Sequence, residues 1–163
     1  MVIKAMTAQY WPAVAEIYKE GIATGYATFE LEVPDYEHWD KAHLSSCRLV
    51  ALEGQTVVGW AALCPVSGRC VYGGVAEVSV YVAMAHRGKG LGEKLLDRLI
   101  KVSEEAGLWT LQSGIFPENV GSIQIHEKTG FRLIGKRERI GKLHGVWKDN
   151  LIFERRSNHV GTD

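Results

Sequence analysis

The sequence has no excess charge of either sign. Nineteen Lys and Arg against nineteen Asp and Glu leave a formal charge of zero. With no global field to draw the protein to nucleic acid or to anionic lipid, neither partner is expected, and any anion site must be built locally. Cysteine is scarce: Cys47, Cys64 and Cys70 are an odd number without a CxxC pair, which excludes a disulfide framework and a zinc knuckle and makes a reducing cytoplasm the simplest compartment. No metal is expected. No apolar run reaches membrane-spanning length, and the start MVIKAMTAQYW lacks a basic segment followed by an apolar stretch and a cleavage site, so neither insertion nor secretion is expected. Repeats, low-complexity tracts and long Pro/Ser linkers are absent too.

What remains is an ordinary globular composition, 46% hydrophobic and 23% charged over 163 residues. A chain of this length can bury a large core without metal or disulfide. It reads as one domain over 1–156, with a flexible tail at 157–163.

Apolar positions at Val14, Ile17 and Tyr18 fall at helical spacing, with Thr7 as N-cap and Pro12 tolerable only near the start. A second short helix is expected from about Asp35 to Ser45 after Pro34, and 24–32 reads as loop. Two β-rich runs, Arg48–Leu52 and Val57–Leu63, flank the turn-like Glu53-Gly54-Gln55 and predict an antiparallel hairpin. Val75–Val82 alternates as a central strand does. The clearest helix follows: Leu91, Leu95, Leu99, Val102 and Ala106 step by three or four, Lys94, Asp97, Arg98 and Lys101 take the other face, and Gly107 sits where a C-cap belongs. Trp109–Phe116 reads as a strand, Val120–Thr129 as a helix, and Phe131–Arg137 and Val146–Glu154 as closing strands. The class is mixed α/β.

The informative segment is Arg87-Gly88-Lys89-Gly90-Leu91-Gly92, between the strand ending near Val82 and the helix starting near Leu91. Three glycines permit tight turning and close approach of a ligand, while the N–H groups of the helix's first turn face outward at the positive end of its dipole. That suits a pyrophosphate, with Arg87 and Lys89 adding charge there or simply being solvated. The P-loop spelling GxxxxGK followed by Ser or Thr is absent. The register GxGxG, deep in the chain after a hairpin, also disfavours a dinucleotide fold.

Arg87, Gly90 and Gly92 match the Q/R-x-x-G-x-G/A signature of the GNAT superfamily of N-acetyltransferases. Together with ATFE (27–30), AEVSVYV, HRGKGLGEKLL, ENVGSIQIHEKTGF and GVWKDNLIFERR, the sequence resembles the phosphinothricin and methionine sulfoximine acetyltransferase branch of that family over nearly its whole length.

The resemblance implies a mixed, mostly antiparallel central sheet, splayed at the cofactor site and flanked by helices. It implies acetyl-CoA as acetyl donor, with the main chain of Val80, Tyr81 and Val82 pairing the pantetheine arm. Gly88 to Glu93 would receive the pyrophosphate, with Asn119 and Ser122 at the coenzyme. Asn119 reads equally as an ordinary helix N-cap.

Transfer to an amine needs a base to strip the ammonium and a donor to polarise the carbonyl. Glu77, in the central strand, is the base candidate, since a buried carboxylate tends to hold its proton to higher pH. It could instead point outward or pair with a basic neighbour. A main-chain N–H near Val80 to Val82 is the candidate oxyanion donor. Where many family members have a tyrosine as proton donor, this chain has His126, which could donate a proton or only fill a helix face.

By the same resemblance Phe29, Glu30 and Tyr72 line the acceptor pocket, although Phe29 reads also as a core anchor and Glu30 as a solvated charge. Arg69, Arg87, Lys142 and Lys148 are unranked partners for a substrate anion. Trp147 and its strand resemble a dimer-facing segment, implying a homodimer, unless Trp147 is buried within the monomer. The expected reaction is N-acetylation of a small amino-acid-like amine. Other amines (polyamine, aminoglycoside, protein N-terminus) and a non-catalytic acyl-CoA sensor stand as alternatives.

Overall fold

A computed structural model describes residues 1–163. Seven strands form one sheet: β1 (Val2–Ala5), β2 (Leu49–Glu53), β3 (Thr56–Pro65), β4 (Val75–Val82), β5 (Thr110–Ile115), β6 (Arg132–Leu143) and β7 (Val146–Arg156). Their spatial order is β1-β2-β3-β4-β5-β7-β6. Every neighbouring pair is antiparallel except β4 and β5. Four helices flank it: α1 (Trp11–Ala23), α2 (Tyr36–Ala42), α3 (Leu91–Glu105) and α4 (Val120–Lys128).

The period-2 alternation of β4 sorts two cores. Ala76 and Val78 join Leu91, Leu95, Leu96, Leu99 and Phe153 in a cluster under α3. On the opposite face Trp39, Trp60, Val14 and Ile17 form a second cluster under α1 and α2, with Tyr81 packed against it. Trp60 stacks on Tyr81 at 4.9 Å between ring centroids, and Tyr18 follows at 5.0 Å from Tyr81. This aromatic column fixes the α1 side of β4.

Several elements differ from the expectation. Thr7 gives no side-chain cap; it precedes a short 3-10 turn, and α1 starts at Trp11 with Pro12 in its first turn. Asp35 caps α2, accepting from His38 N at 2.9 Å, but the helix stops at Ala42, where His43 turns extended and Leu44 N pairs with Leu63 O. β1 has no counterpart among the expected strands: its four residues are held as a strand only by pairing with β2. β6 runs six residues beyond Arg137, because a bulge between Arg137 and Gly141 restores pairing with β7. The stretch 157–163, expected to trail free, begins with a tie. Ser157 is buried, its N donates to Trp109 O at 2.8 Å and its Oγ to Glu104 Oε1 at 3.0 Å, and Arg156 donates to the carbonyls of Val160 and Gly161.

Candidate functional site

β4 and β5 pair only at Val75, Ala76 and Glu77, opposite Thr110, Leu111 and Gln112. Beyond that point the strands part, and a cleft of about 1380 Å³ opens between them. The register of β3 on β4 decides what β4 offers to the gap. Ala83 N donates to Val58 O, and Val82 lies opposite Gly59, so the hydrogen-bonded pairs fall on Tyr81, Ser79 and Glu77. The N–H and C=O groups of Val78, Val80 and Val82 therefore point away from β3; the Val78 N–H closes the pairing with Gln112, and the groups of Val80 and Val82 face the gap. Arg87 Nε reaches Val82 O at 3.2 Å, as this geometry requires. Tyr81, expected to act with Val80 and Val82, has its main chain committed to Trp60, and only its side chain lines the cleft.

The glycine loop closes one end of the cleft. Gly88 and Gly90 adopt φ 74° and 77°, where an ordinary residue is strained, and a Cβ at either would meet nothing within 4 Å. Both line the cleft, together with Arg87, Leu91, Gly92 and Glu93. No side chain caps α3, so the N–H groups of its first turn stay free for an outside acceptor. Lys89 turns back to Ala85 O at 3.4 Å and is absent from the lining. Across the gap, Asn119 Oδ1 accepts from Ser122 N at 3.3 Å, so the N-cap role is present, and both residues also line the cleft. An elongated acyl carrier with a diphosphate fits these features: a strand-width slot with unpaired main-chain groups leads to a cradle of free amides.

Glu77 lies on the α1 face of β4, level with Cys64 on one side and Gln112 on the other. It is half-buried, and burial pushes its carboxyl above the usual range, with the Arg137 guanidinium opposing. Burial, then nearby Glu77, pushes the Cys64 thiol up to about 11. Beyond Glu77 the cleft continues over Gln112, Gly114 and Asn150 to Arg137. Phe29 stands edge-on to Phe116 at 4.7 Å and fills the space that the bare Gly141 leaves on β6. Tyr18, whose phenol burial raises to about 12, and Glu30 complete that wall.

One expectation fails on geometry, and of the two readings left open for His126 the structure favours the helix-face one. Tyr72 is exposed on a 3-10 turn and faces a separate groove beside Trp109 and Arg156, because the turn at 70–72 lies at the opposite end of β4 from the gap. His126 is buried, with Nδ1 2.7 Å from Ser122 O. A carbonyl only accepts, so Nδ1 carries the hydrogen and Nε2 is left as a bare acceptor without a partner. Burial lowers its pKa, with the hydrogen bond to Ser122 O opposing. That is poor chemistry for a proton donor.

Among the basic residues expected at a substrate anion, Arg69 lies over Tyr72, Lys142 over Trp147, and Lys148 pairs with Glu118 at 3.7 Å. None of the three lines the cleft, whereas Arg87 does so at the loop end. Arg137, absent from that set, does so on the acceptor side. It sits beside a bulge, so no strand periodicity marks its face in the sequence.

No group of three or more His, Cys, Asp or Glu residues is placed to hold a metal, and no helix is long and apolar enough to cross a membrane. Residues 11–131 match the Acetyltransferase (GNAT) family. The L-methionine sulfoximine/L-methionine sulfone acetyltransferase of Salmonella typhimurium is 32% identical over 147 residues, covering 87% of this chain and 86% of that protein. The phosphinothricin N-acetyltransferase of Streptomyces viridochromogenes is 31% identical over 157 residues, covering 94% and 86%. Among solved structures, a phosphinothricin acetyltransferase from Sinorhizobium meliloti in complex with acetyl-CoA superposes with a TM-score of 0.89 at 26% identity, covering 99% of this chain and 91% of that one. A split sheet, a glycine cradle and these relatives agree: the chain belongs to the GNAT family of acetyltransferases and takes its acetyl group from acetyl-CoA.

Proposed function

We propose that the enzyme acetylates the amino group of a small amino-acid-like acceptor, of the methionine sulfone, methionine sulfoximine or phosphinothricin type. The observation that carries the proposal is the placement of a half-buried carboxylate, Glu77, on the acceptor face just where β4 leaves β5. The relatives named for such acceptors support the substrate class.

Acetyl-CoA supplies an acetyl group activated as a thioester. Glu77 takes a proton from the incoming ammonium, directly or through water, and so frees the nitrogen lone pair for attack; its raised pKa makes it a stronger base than an exposed carboxylate. The Val80 N–H, free on the cleft side, donates to the carbonyl oxygen of the acetyl group as charge builds there. Val82 extends the same open edge, and Gly88 to Glu93 hold the diphosphate. Glu77 returns that first proton to solvent through the cleft, then takes the second from the nitrogen of the tetrahedral adduct as the C–S bond breaks and the thiolate leaves to be protonated by water. The departing sulfur is a thiolate, a far better leaving group than an alkoxide or amide, and leaves without needing a strong acid. We assign His126 to positioning: it fixes the first turn of α4, where Asn119 and Ser122 face the cleft. Phe29 and Phe116 form the apolar side of the acceptor pocket, with Glu30 at its rim.

We also infer that two copies associate through the β6–β7 arm. Ile140, Val146 and Trp147 are 55%, 58% and 56% exposed there, and Trp147 is not buried within the monomer. Exposed aromatic and aliphatic groups on one arm suit an interface.

A thiol-release assay with acetyl-CoA decides the substrate class. The acceptor panel comprises methionine sulfone, methionine sulfoximine, phosphinothricin, free amino acids, polyamines, aminoglycosides and peptides. Turnover concentrated on polyamines or peptides would overturn the reading, as would binding of acetyl-CoA without turnover of any amine.

A further inference from the structure

We propose that Arg137, together with the side-chain amide of Asn150, holds the carboxylate of the acceptor and thereby selects amino acids over simple amines. This inference rests on the amino-acid reading above and assigns a residue to it.

The cations of the β6–β7 arm are mostly engaged. Arg132 pairs with Glu154, Lys136 with Asp149, Lys148 with Glu118 and Arg155 with Glu104. Lys142 lies over the Trp147 ring. Arg137 has no such partner in the chain, yet it lines the cleft. The other cations lining the cleft are occupied elsewhere: Arg87 donates to Val82 O, and Lys128 faces Glu93 at 3.9 Å.

Position in the sheet supplies the second observation. Arg137 and Asn150 are cross-strand partners, so their side chains leave the same face. Gly114 on the next strand bears no side chain, and the Asn150 amide fills that space: a Cβ there would sit 2.8 Å from Asn150 Oδ1. Asn150 is thereby drawn inward beside β5, on the face that carries Gln112 and, one strand further, Glu77. The floor thus presents amides between a carboxylate at one end and a guanidinium at the other.

Arg137 and Glu77 feel each other without forming an ion pair. The Glu77 carboxyl is raised rather than lowered, so the guanidinium is near enough to act on it but does not neutralise it. The cleft floor thus has a base on one side and, on the other, a solvent-exposed cation with no carboxylate partner. Its complement is a zwitterion, with the ammonium toward Glu77 and the carboxylate toward Arg137, whose planar fork can bind both oxygens. A simple amine leaves Arg137 unused.

The test compares L-methionine sulfone with its carboxamide, in which only the anionic group is replaced, for the wild type, Arg137→Ala, Arg137→Lys and Asn150→Ala. Taking the acid-to-amide ratio of kcat/KM within each enzyme cancels the different basicity of the two amines. The wild type should favour the acid. Arg137→Ala should lower the acid-to-amide ratio of kcat/KM by about 10- to 100-fold, chiefly through the KM for the acid, and leave the KM for acetyl-CoA within about twofold. Arg137→Lys should recover part of the loss, and Asn150→Ala should lose less. An unchanged ratio in Arg137→Ala, with the acid still acetylated, overturns the assignment of Arg137 alone. A wild type that acetylates neither compound overturns the amino-acid reading and this inference with it.

Discussion

Replacing Gly90 by alanine separates the strain of the loop from its use. At φ 77° a Cβ would meet no atom within 4 Å, so the substitution adds no clash to the free protein. Its intrinsic cost is that of a left-handed backbone for an L-residue, about 1–2 kcal/mol. In a chain of this size that lowers Tm by about 2–8 °C. The same methyl, however, stands on a residue that lines the cleft, where the proposed diphosphate site lies against the amides of α3. Losing one charge-assisted hydrogen bond costs about 1.5–3 kcal/mol, so acetyl-CoA should bind about 10- to 100-fold more weakly by calorimetry. Gly90→Asn is the control. Asparagine tolerates the left-handed region, so its Tm should drop less, yet its larger side chain obstructs the cradle equally. If both variants melt lower but keep the acetyl-CoA Kd within about twofold of wild type, residues 88–93 do not grip the diphosphate and the donor site has been misplaced.

Glu77→Gln should lower kcat by about 10²- to 10⁴-fold, with the acetyl-CoA Kd nearly unchanged, and should abolish the acidic limb of the pH profile; a retained limb would remove Glu77 from the base role. The same change carries a stability signature. Because the folded carboxyl holds its proton to higher pH than the unfolded one, Glu77 favours folding below the ordinary carboxylate range, and that stabilisation is lost as pH rises through the raised folded value. The neutral glutamine of the variant escapes this loss, so the Tm gap between variant and wild type should widen in the variant's favour from about pH 4 to about pH 8, and a gap that stays constant would contradict the burial of the charge. His126→Gln should cost less than about tenfold in kcat, since a ring whose pKa burial lowers and which already donates to Ser122 O is not the proton source; a loss of about 10²-fold or more with unchanged acetyl-CoA binding would restore it to that role. Trp147→Glu should shift the sedimentation coefficient from dimer to monomer, and an unaltered value would move the interface elsewhere.

The elements that alternate or step cleanly are legible from sequence. Val75–Val82 is the central strand to the residue, and the spacing of Leu91, Leu95 and Leu99 locates α3. The glycine loop is legible because its backbone need, a positive φ at Gly88 and Gly90, has almost no other residue solution. What escapes depends on partners distant in sequence. β1 is too short to declare itself without β2, and the length of β6 follows from a bulge that only pairing with β7 creates. Tyr72 is five residues before Glu77, yet the strand between them carries it away from the gap. Tyr81 looks equivalent to Val80 and Val82 in composition, while hydrogen-bond parity across β3 sets it apart. Arg137 is one arginine among several until the structure shows which ones already have carboxylates.

Three residue pairs are all that join β1–β4 to the remaining three strands, and all three lie at one end of the shared seam. The sheet is in effect two plates meeting at a short spine, which Trp109 N extends by donating to Gly74 O at 2.9 Å. A donor lodged in the slot stitches the plates together along the open length of the seam. Binding of acetyl-CoA to the folded form therefore adds to the stability of the join between the plates by mass action.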